Sequence, residues 1–208
     1  MSLVLAVLVV LGLLLGNEAL WRFTKIHNEL SRKFIHITVG SFVAFWPFFL
    51  SWTQIRLLSV AFLIGVALSK YLGIFLAIHS VRRATLGEVF FALAVGVTTF
   101  VTHDKWVYAT AMLQMSLADG LAAVIGVQYG KGNRYMVLGG LKSVAGTATF
   151  IVVSAGLLLV FGQTAGHALS AGRLVGITLV TTALENVAVW GLDNLVVPLV
   201  VAMLLANL

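Results

Sequence analysis

Apolar runs about as long as a bilayer is thick, separated by short polar connections, fill this 208-residue chain and leave it few ways to fold. A helix needs about 20 mostly apolar residues to cross the hydrocarbon core. Such runs occupy residues 2–20, 34–50, 55–78, 86–102, 106–128, 144–162, 174–189 and 192–205, and the last two are short and carry polar residues. Strands of a membrane barrel would alternate apolar and polar positions. These runs do not alternate, so their backbone groups have to be satisfied within helices. The expectation is an all-α fold, a polytopic transmembrane bundle of seven or eight helices. With 61% hydrophobic and 10% charged residues the chain is no water-soluble domain, since those average about 45–50% apolar and about 25% charged.

Two prolines, no Ser/Gly/Pro-rich linker and no internal repeat make residues 1–208 a single integral membrane domain. Cysteine is absent, which excludes disulfides, thiolate metal sites and cysteine nucleophiles. The first twenty residues hold no Lys or Arg and no small-residue cleavage pattern, so they read as a retained first helix and not a signal peptide.

The bases are distributed unevenly. Arg22, Lys25, Arg32 and Lys33 fall in the first connection, Arg82 and Arg83 in the third, and Lys131, Arg134 and Lys142 in the fifth. The second, fourth and sixth hold Arg56, Lys105 and Arg173, so the count is nine against three. The excess marks the odd connections as cytoplasmic and puts the N-terminus outside. The net charge of +6 then belongs to loops beside anionic headgroups, and nucleic acid is not an expected partner.

Charges at membrane depth cost about 2.5–3.5 kcal/mol each on insertion scales, which makes them functional candidates. Of the seven carboxylates, Asp104 reads as solvated in an outside loop, Glu18 as meeting the interface, and Glu29 as either a surface or a site residue. The other four, Glu88, Asp119, Glu185 and Asp193, all fall at or near the cytoplasmic side. One reading pairs them with Lys33, Arg83 or Lys142 as helix locks. Their convergence beside several bases suits a divalent metal with polyphosphate instead, since Mg²⁺ takes one or two carboxylates together with phosphate oxygens. His36 lies three residues after Lys33 and so shares its helix face, where it serves either a common ligand or a helix–helix hydrogen bond.

Residues 119–147 are the richest stretch. Ala122, Gly126 and Gly130 recur at four-residue spacing, a stripe that lets helices approach closely. Gly130, Lys131 and Gly132 follow, then Lys142-Ser143 and Gly146-Thr147 where the next run begins. Backbone amides in such a loop and at a helix N-terminus bind phosphates, and a lysine adds charge. The Walker A pattern does not occur.

These residues resemble the polyprenol kinase family of membrane lipid kinases, which includes dolichol kinase, phytol kinase and CTP-dependent diacylglycerol kinase. The resemblance is carried by Glu29-Leu-Ser-Arg32-Lys33-Phe-Ile-His36 with Gly40, and by Gly87-Glu88-Val-Phe90-Phe91. It continues through Ala118-Asp119-Gly120-Leu-Ala122 with Gly126 and Gly130, then Lys142-Ser143 with Gly146-Thr147, and ends on Glu185, Asp193-Asn194-Leu195 and Pro198. The blocks run from residue 29 to 198. The chain lacks the extra spans of dolichol kinases and has Leu141-Lys142-Ser143 where they commonly carry paired lysines and a Glu. In both respects it is nearer to phytol kinase and its prokaryotic relatives.

The resemblance implies transfer of the γ-phosphate of CTP, or another nucleoside triphosphate, to the hydroxyl of a lipid alcohol of the prenol, polyprenol or diacylglycerol type. It implies a nucleotide site built largely from Asp119 to Thr147. On this reading Asp119, Glu88, Asp193 and Glu185 supply ligands for Mg²⁺ (or Mn²⁺). Lys33, His36, Gly126, Gly130, Lys131, Lys142, Ser143, Gly146, Thr147 and Asn194 surround the nucleotide. Asp119 or Glu88 orients or deprotonates the hydroxyl, and the lipid tail arrives sideways between helices. The partners are a lipid alcohol, a nucleotide and the bilayer, and an oligomer is compatible with all of it. Two rivals are a cytidylyltransferase making a CDP-lipid from CTP and a lipid phosphate, and a small-solute or ion transporter. The transporter fits less well, because repeats and matching broken helices are missing.

Overall fold

A computed structural model of the protein describes residues 3–23, 29–72, 86–138, 140–166 and 168–207. Ser2 and residues 73–78 of the apolar runs, and Lys25, Arg82 and Arg83 of the basic connections, lie outside the described residues. Eight helices are seen among them: α1 (Leu3–Phe23), α2 (Glu29–Ala44), α3 (Trp52–Leu72), α4 (Gly87–Val101), α5 (Lys105–Tyr129), α6 (Val144–Thr164), α7 (Ala171–Val187) and α8 (Asp193–Ala206). Four stretches are long and apolar enough to cross a membrane: Leu3–Leu20, Trp52–Ser69, Lys105–Tyr129 and Val144–Thr164. Their outward faces expose Leu8, Leu15, Val60, Ile64, Val152 and Leu159, a surface suited to lipid.

Local chemistry sets several boundaries that periodicity alone misses. The second apolar run reads as continuous to residue 50, yet α2 ends at Ala44. Pro47 has no N–H to donate, and the chain passes into a 3₁₀ turn over Trp46–Phe48. Ser170 starts α7 earlier than the apolar pattern does, its Oγ accepting from the Arg173 N–H at 3.4 Å. Asp104 is a cap and not merely a solvated loop residue. Its carboxylate accepts from the N–H groups of Trp106 (2.7 Å) and Val107 (2.9 Å) at the start of α5. Glu18, read as an interface residue, is buried and paired with Arg22 at 3.0 Å.

α5 is the axis of the bundle. Over half of it is buried (56%), against 22–28% for the other three long spans, and it packs on α2, α6 and α8. Midway it widens into a π turn over Gln114–Ala118, a feature that inserts a residue and re-aims the side chains beyond it. Gly40 of α2 and Gly120 of α5 lie where a Cβ would run into Ser116 and Ile37, so both glycines are needed for the α2–α5 approach.

The exception to the all-α expectation is a short antiparallel hairpin, β1 (Arg134–Val137) and β2 (Gly140–Ser143), inside what reads as a loop. Its register sets Tyr135 opposite Lys142 and Arg134 opposite Ser143. Ser143 then caps α6, its Oγ accepting from the Gly146 N–H at 3.1 Å.

The glycine stripe is explained by packing. A Cβ on Gly126 would meet Ser143 Oγ at 2.9 Å, and one on Gly146 would meet the Ala122 carbonyl oxygen at 2.9 Å. Gly146→Ala is therefore expected to cost about 1–3 kcal/mol by forcing α5 and α6 apart. Gly156→Ala, on the same helix with nothing within 4 Å, is expected to be neutral or slightly stabilising. Thermal melts of the two variants in detergent check the contrast.

Candidate active site

The first turns of α2, α4 and α8, the last turn of α7, the hairpin and the middle of α5 meet at one end of the bundle. Asp119 comes directly after the π turn and is buried. It forms an ion pair with Lys33, itself buried in the first half of α2. One helical turn on, His36 Nε2 donates to the Met115 carbonyl at 2.8 Å and lies 3.6 Å from Asp119 Oδ2. The π turn thus does two things: it aims Asp119 inward and presents a carbonyl that orients the imidazole.

A second pair joins the hairpin to α7. Lys142 reaches across to Glu185, binding its carboxylate and, at 2.7 Å, its backbone carbonyl. Burial works against the Lys142 charge, but the Glu185 carboxylate outweighs it and holds the ammonium above the ordinary lysine value. Asp193 opens α8, and among the described residues it has no ion-pair partner. Oxygens of Asp119, Glu185 and Asp193 all lie within 4.8 Å of one another.

Three carboxylates meet here in a largely buried place, balanced by Lys33, Lys142 and Arg32. A converging set of hard oxygen donors is what Mg²⁺ or Mn²⁺ prefers. Asn194, next in the chain, donates its amide to the Gly87 carbonyl at 2.9 Å and so ties α8 to α4. Its Oδ1 is buried and has no hydrogen-bond partner among the described residues, one more oxygen available to a cation or hydroxyl. The residues present fit a divalent cation.

The sequence-derived candidates separate into groups. Lys33, His36, Asp119, Lys142, Glu185, Asp193 and Asn194 come together. Glu88 is not one of the carboxylate trio; it lines an adjoining cavity with His36 and Asn194. Gly126, Gly130, Ser143 and Gly146 are engaged in the α5–α6 contact. Lys131 and Gly132 stand on the exposed turn before the hairpin. Thr147 joins a polar cluster that sequence reasoning missed: Tyr135 OH meets Thr147 Oγ1 and donates to Asn186 Oδ1 at 2.5 Å. The available signal was the pair of short runs Arg134-Tyr-Met-Val and Gly140-Leu-Lys-Ser separated by two residues, which places Tyr135 beside Lys142 once paired.

The cavity itself encloses about 260 Å³ between the α1–α2 pair and the α3–α4 pair. His36 both lines it and approaches Asp119, so its polar end adjoins the carboxylate trio.

The sequence has a relative among known proteins. The chain is 33% identical over 196 residues to a phytol kinase of Synechocystis sp., a match spanning 90% of this chain and 83% of that protein. No family model matches the sequence, and no solved structure does.

Proposed function

This chain belongs to the phytol kinase-like polyprenol kinase family, and from that premise we propose that it is a membrane lipid kinase moving the γ-phosphoryl group of CTP to the hydroxyl of a lipid alcohol. The observation that carries the reading is the junction at His36, where a two-lysine, three-carboxylate cluster adjoins an apolar cavity. Phosphoryl transfer asks for positioning and charge neutralisation more than for covalent chemistry. A cluster of this kind supplies both for a triphosphate, and the cavity supplies a place for an alkyl tail.

In this mechanism Lys142 and Lys33 turn from their carboxylates to the phosphate oxygens. Asp119, Glu185 and Asp193 would hold Mg²⁺ or Mn²⁺, which when bound neutralises the triphosphate oxygens. Glu88, on the cavity side, takes the proton of the alcohol. The hydroxyl oxygen then forms its bond to the γ-phosphorus, the bond from that phosphorus to the β,γ-bridging oxygen breaks, and CDP leaves. His36, held by the Met115 carbonyl, keeps the lipid and nucleotide halves in register. The excess of bases in the odd connections makes this face cytoplasmic.

The test is a phosphotransfer assay on detergent-purified protein with γ-labelled CTP, Mg²⁺ and a panel of phytol, geranylgeraniol, farnesol, a long polyprenol and diacylglycerol. Label is expected in an extracted prenyl lipid. Glu88→Gln is expected to lower kcat by roughly 10²-fold, the low end for a general base, with the KM for CTP little changed. Absence of label in every alcohol, with pyrophosphate released only when phosphatidic acid is supplied, would replace the kinase by a cytidylyltransferase.

A further inference from the structure

Among the described residues, two side chains tie the hairpin to the last turn of α7, and both come from one face of it. Opposite residues of an antiparallel pair project to the same side, so Tyr135 and Lys142, paired in the register, point together. They reach consecutive residues of α7. Lys142 binds the Glu185 carboxylate and backbone carbonyl, while Tyr135 donates to Asn186 Oδ1 at 2.5 Å. On the other face Met136 and Leu141 are exposed, as is Leu138 beyond β1, so that side adds little to holding the hairpin down.

The Tyr135 end is a closed cluster. Thr147 Oγ1, in the first turn of α6, meets the phenol oxygen and donates to Asn186 Oδ1 at 3.2 Å. The Asn186 amide nitrogen donates to the Thr182 carbonyl at 2.9 Å, one turn back on α7. That bond turns the amide oxygen toward the two hydroxyls. A phenol has one proton to give and a carbonyl oxygen two lone pairs to accept with, and these contacts use them. Tyr135 thus has no proton left for a ligand, and its part is to fix where β1 sits.

The Lys142 end is open to exchange. To meet a phosphate oxygen the ammonium has to leave Glu185, and the hairpin then keeps Tyr135 as its side-chain tie to α7. Ser143 caps α6 and fixes the base of β2; Tyr135 sets how the strands above that base lie on α7. We propose that Tyr135 is a positioning residue for the nucleotide: anchored on Asn186, it holds Lys142 beside the carboxylate trio while that lysine trades Glu185 for a phosphate oxygen. The proposal rests on the kinase reading above. A charged contact displaced by about 1 Å loses much of its worth, so the anchor matters through Lys142 and not by itself.

The experiment measures KM for CTP and kcat in Tyr135→Phe, Lys142→Met and the double variant, with calorimetric titration of CTP alongside. Tyr135→Phe keeps the ring and removes the hydroxyl. It should raise KM and Kd for CTP by about five- to ten-fold, the worth of one hydrogen bond, with kcat within about two-fold of the wild type. In the Lys142→Met background the same change should add less than about two-fold, because the group it positions is gone. Asn186→Ala removes the acceptor instead of the donor and should match Tyr135→Phe without multiplying its effect. A Tyr135→Phe protein with a lower melting temperature and unchanged KM, or effects that multiply with Lys142→Met, overturns the positioning role and leaves the kinase intact. Wild-type protein that binds CTP but labels no alcohol overturns the kinase reading, and the affinities then decide Tyr135 by the same criterion. Wild-type protein that binds no CTP overturns both.

Discussion

Asp119→Asn is expected to reduce kcat by about 10³-fold or more, equivalent to roughly 4 kcal/mol of transition-state stabilisation. Asp119 pairs with Lys33, lies 3.6 Å from His36, and belongs to the carboxylate trio. The amide keeps the shape and removes the charge, so any cation bound there loses an anionic ligand. The substitution also leaves Lys33 buried without its counter-ion, which costs stability by roughly 3–5 kcal/mol. A double variant separates the two effects. Lys33→Met combined with Asp119→Asn removes the stranded charge and is expected to recover much of the lost melting temperature with no recovery of turnover. Recovery of activity together with stability would mean that Asp119 serves only as a helix lock.

Lys142→Met is expected to raise the KM for CTP by roughly 10²-fold, the worth of two to three kcal/mol expected of a charge-assisted contact to phosphate. The effect should be larger on KM than on kcat, because Lys142 stands on the hairpin and not among the groups nearest the cavity. Lys142→Arg should restore part of the binding, since the charge remains although the geometry changes. The Glu185 pair also makes a pH prediction. The folded-state value of Lys142 is raised above its ordinary 10.5. Its contribution to stability is therefore complete below about that pH, and is lost only as the pH rises through the higher folded value. Nucleotide affinity carried by Lys142 should accordingly stay flat across the neutral range, which isothermal titration with CTP between pH 6 and 9 would check.

The membrane runs were legible because apolar length alone identifies them, and the carboxylates because each is expensive at its depth. Asp119, Glu185 and Asp193 stood out on that ground and do converge. Glu88 stood out equally but faces the cavity, since nothing in the local sequence tells which side of the α4 start its carboxylate takes. The end of α2 was misread because Trp46-Pro47 continues the apolar pattern while ending the hydrogen-bond ladder. The hairpin was missed for a related reason: four-residue strands in a Gly-rich connection carry too little periodicity to stand out. With the hairpin went Tyr135, whose place depends on cross-strand register. The stripe at Ala122, Gly126 and Gly130 was legible as a close helix approach, and the absent Cβ atoms of Gly126, Gly130 and Gly146 are indeed needed by the α5–α6 contact.

The ion pair between α2 and α5 joins residues separated by 86 positions, and the last carboxylate of the trio opens the final helix. During synthesis, then, Lys33 is made and placed at the start of α2 long before its counter-charge exists, and until α5 arrives it has to stay at the hydrated interface. The Lys33 charge is matched only when α5 arrives, and the carboxylate trio closes only after α8 is in place. An intermediate halted before that helix would already hold its long apolar helices and still lack Asp193 and Asn194.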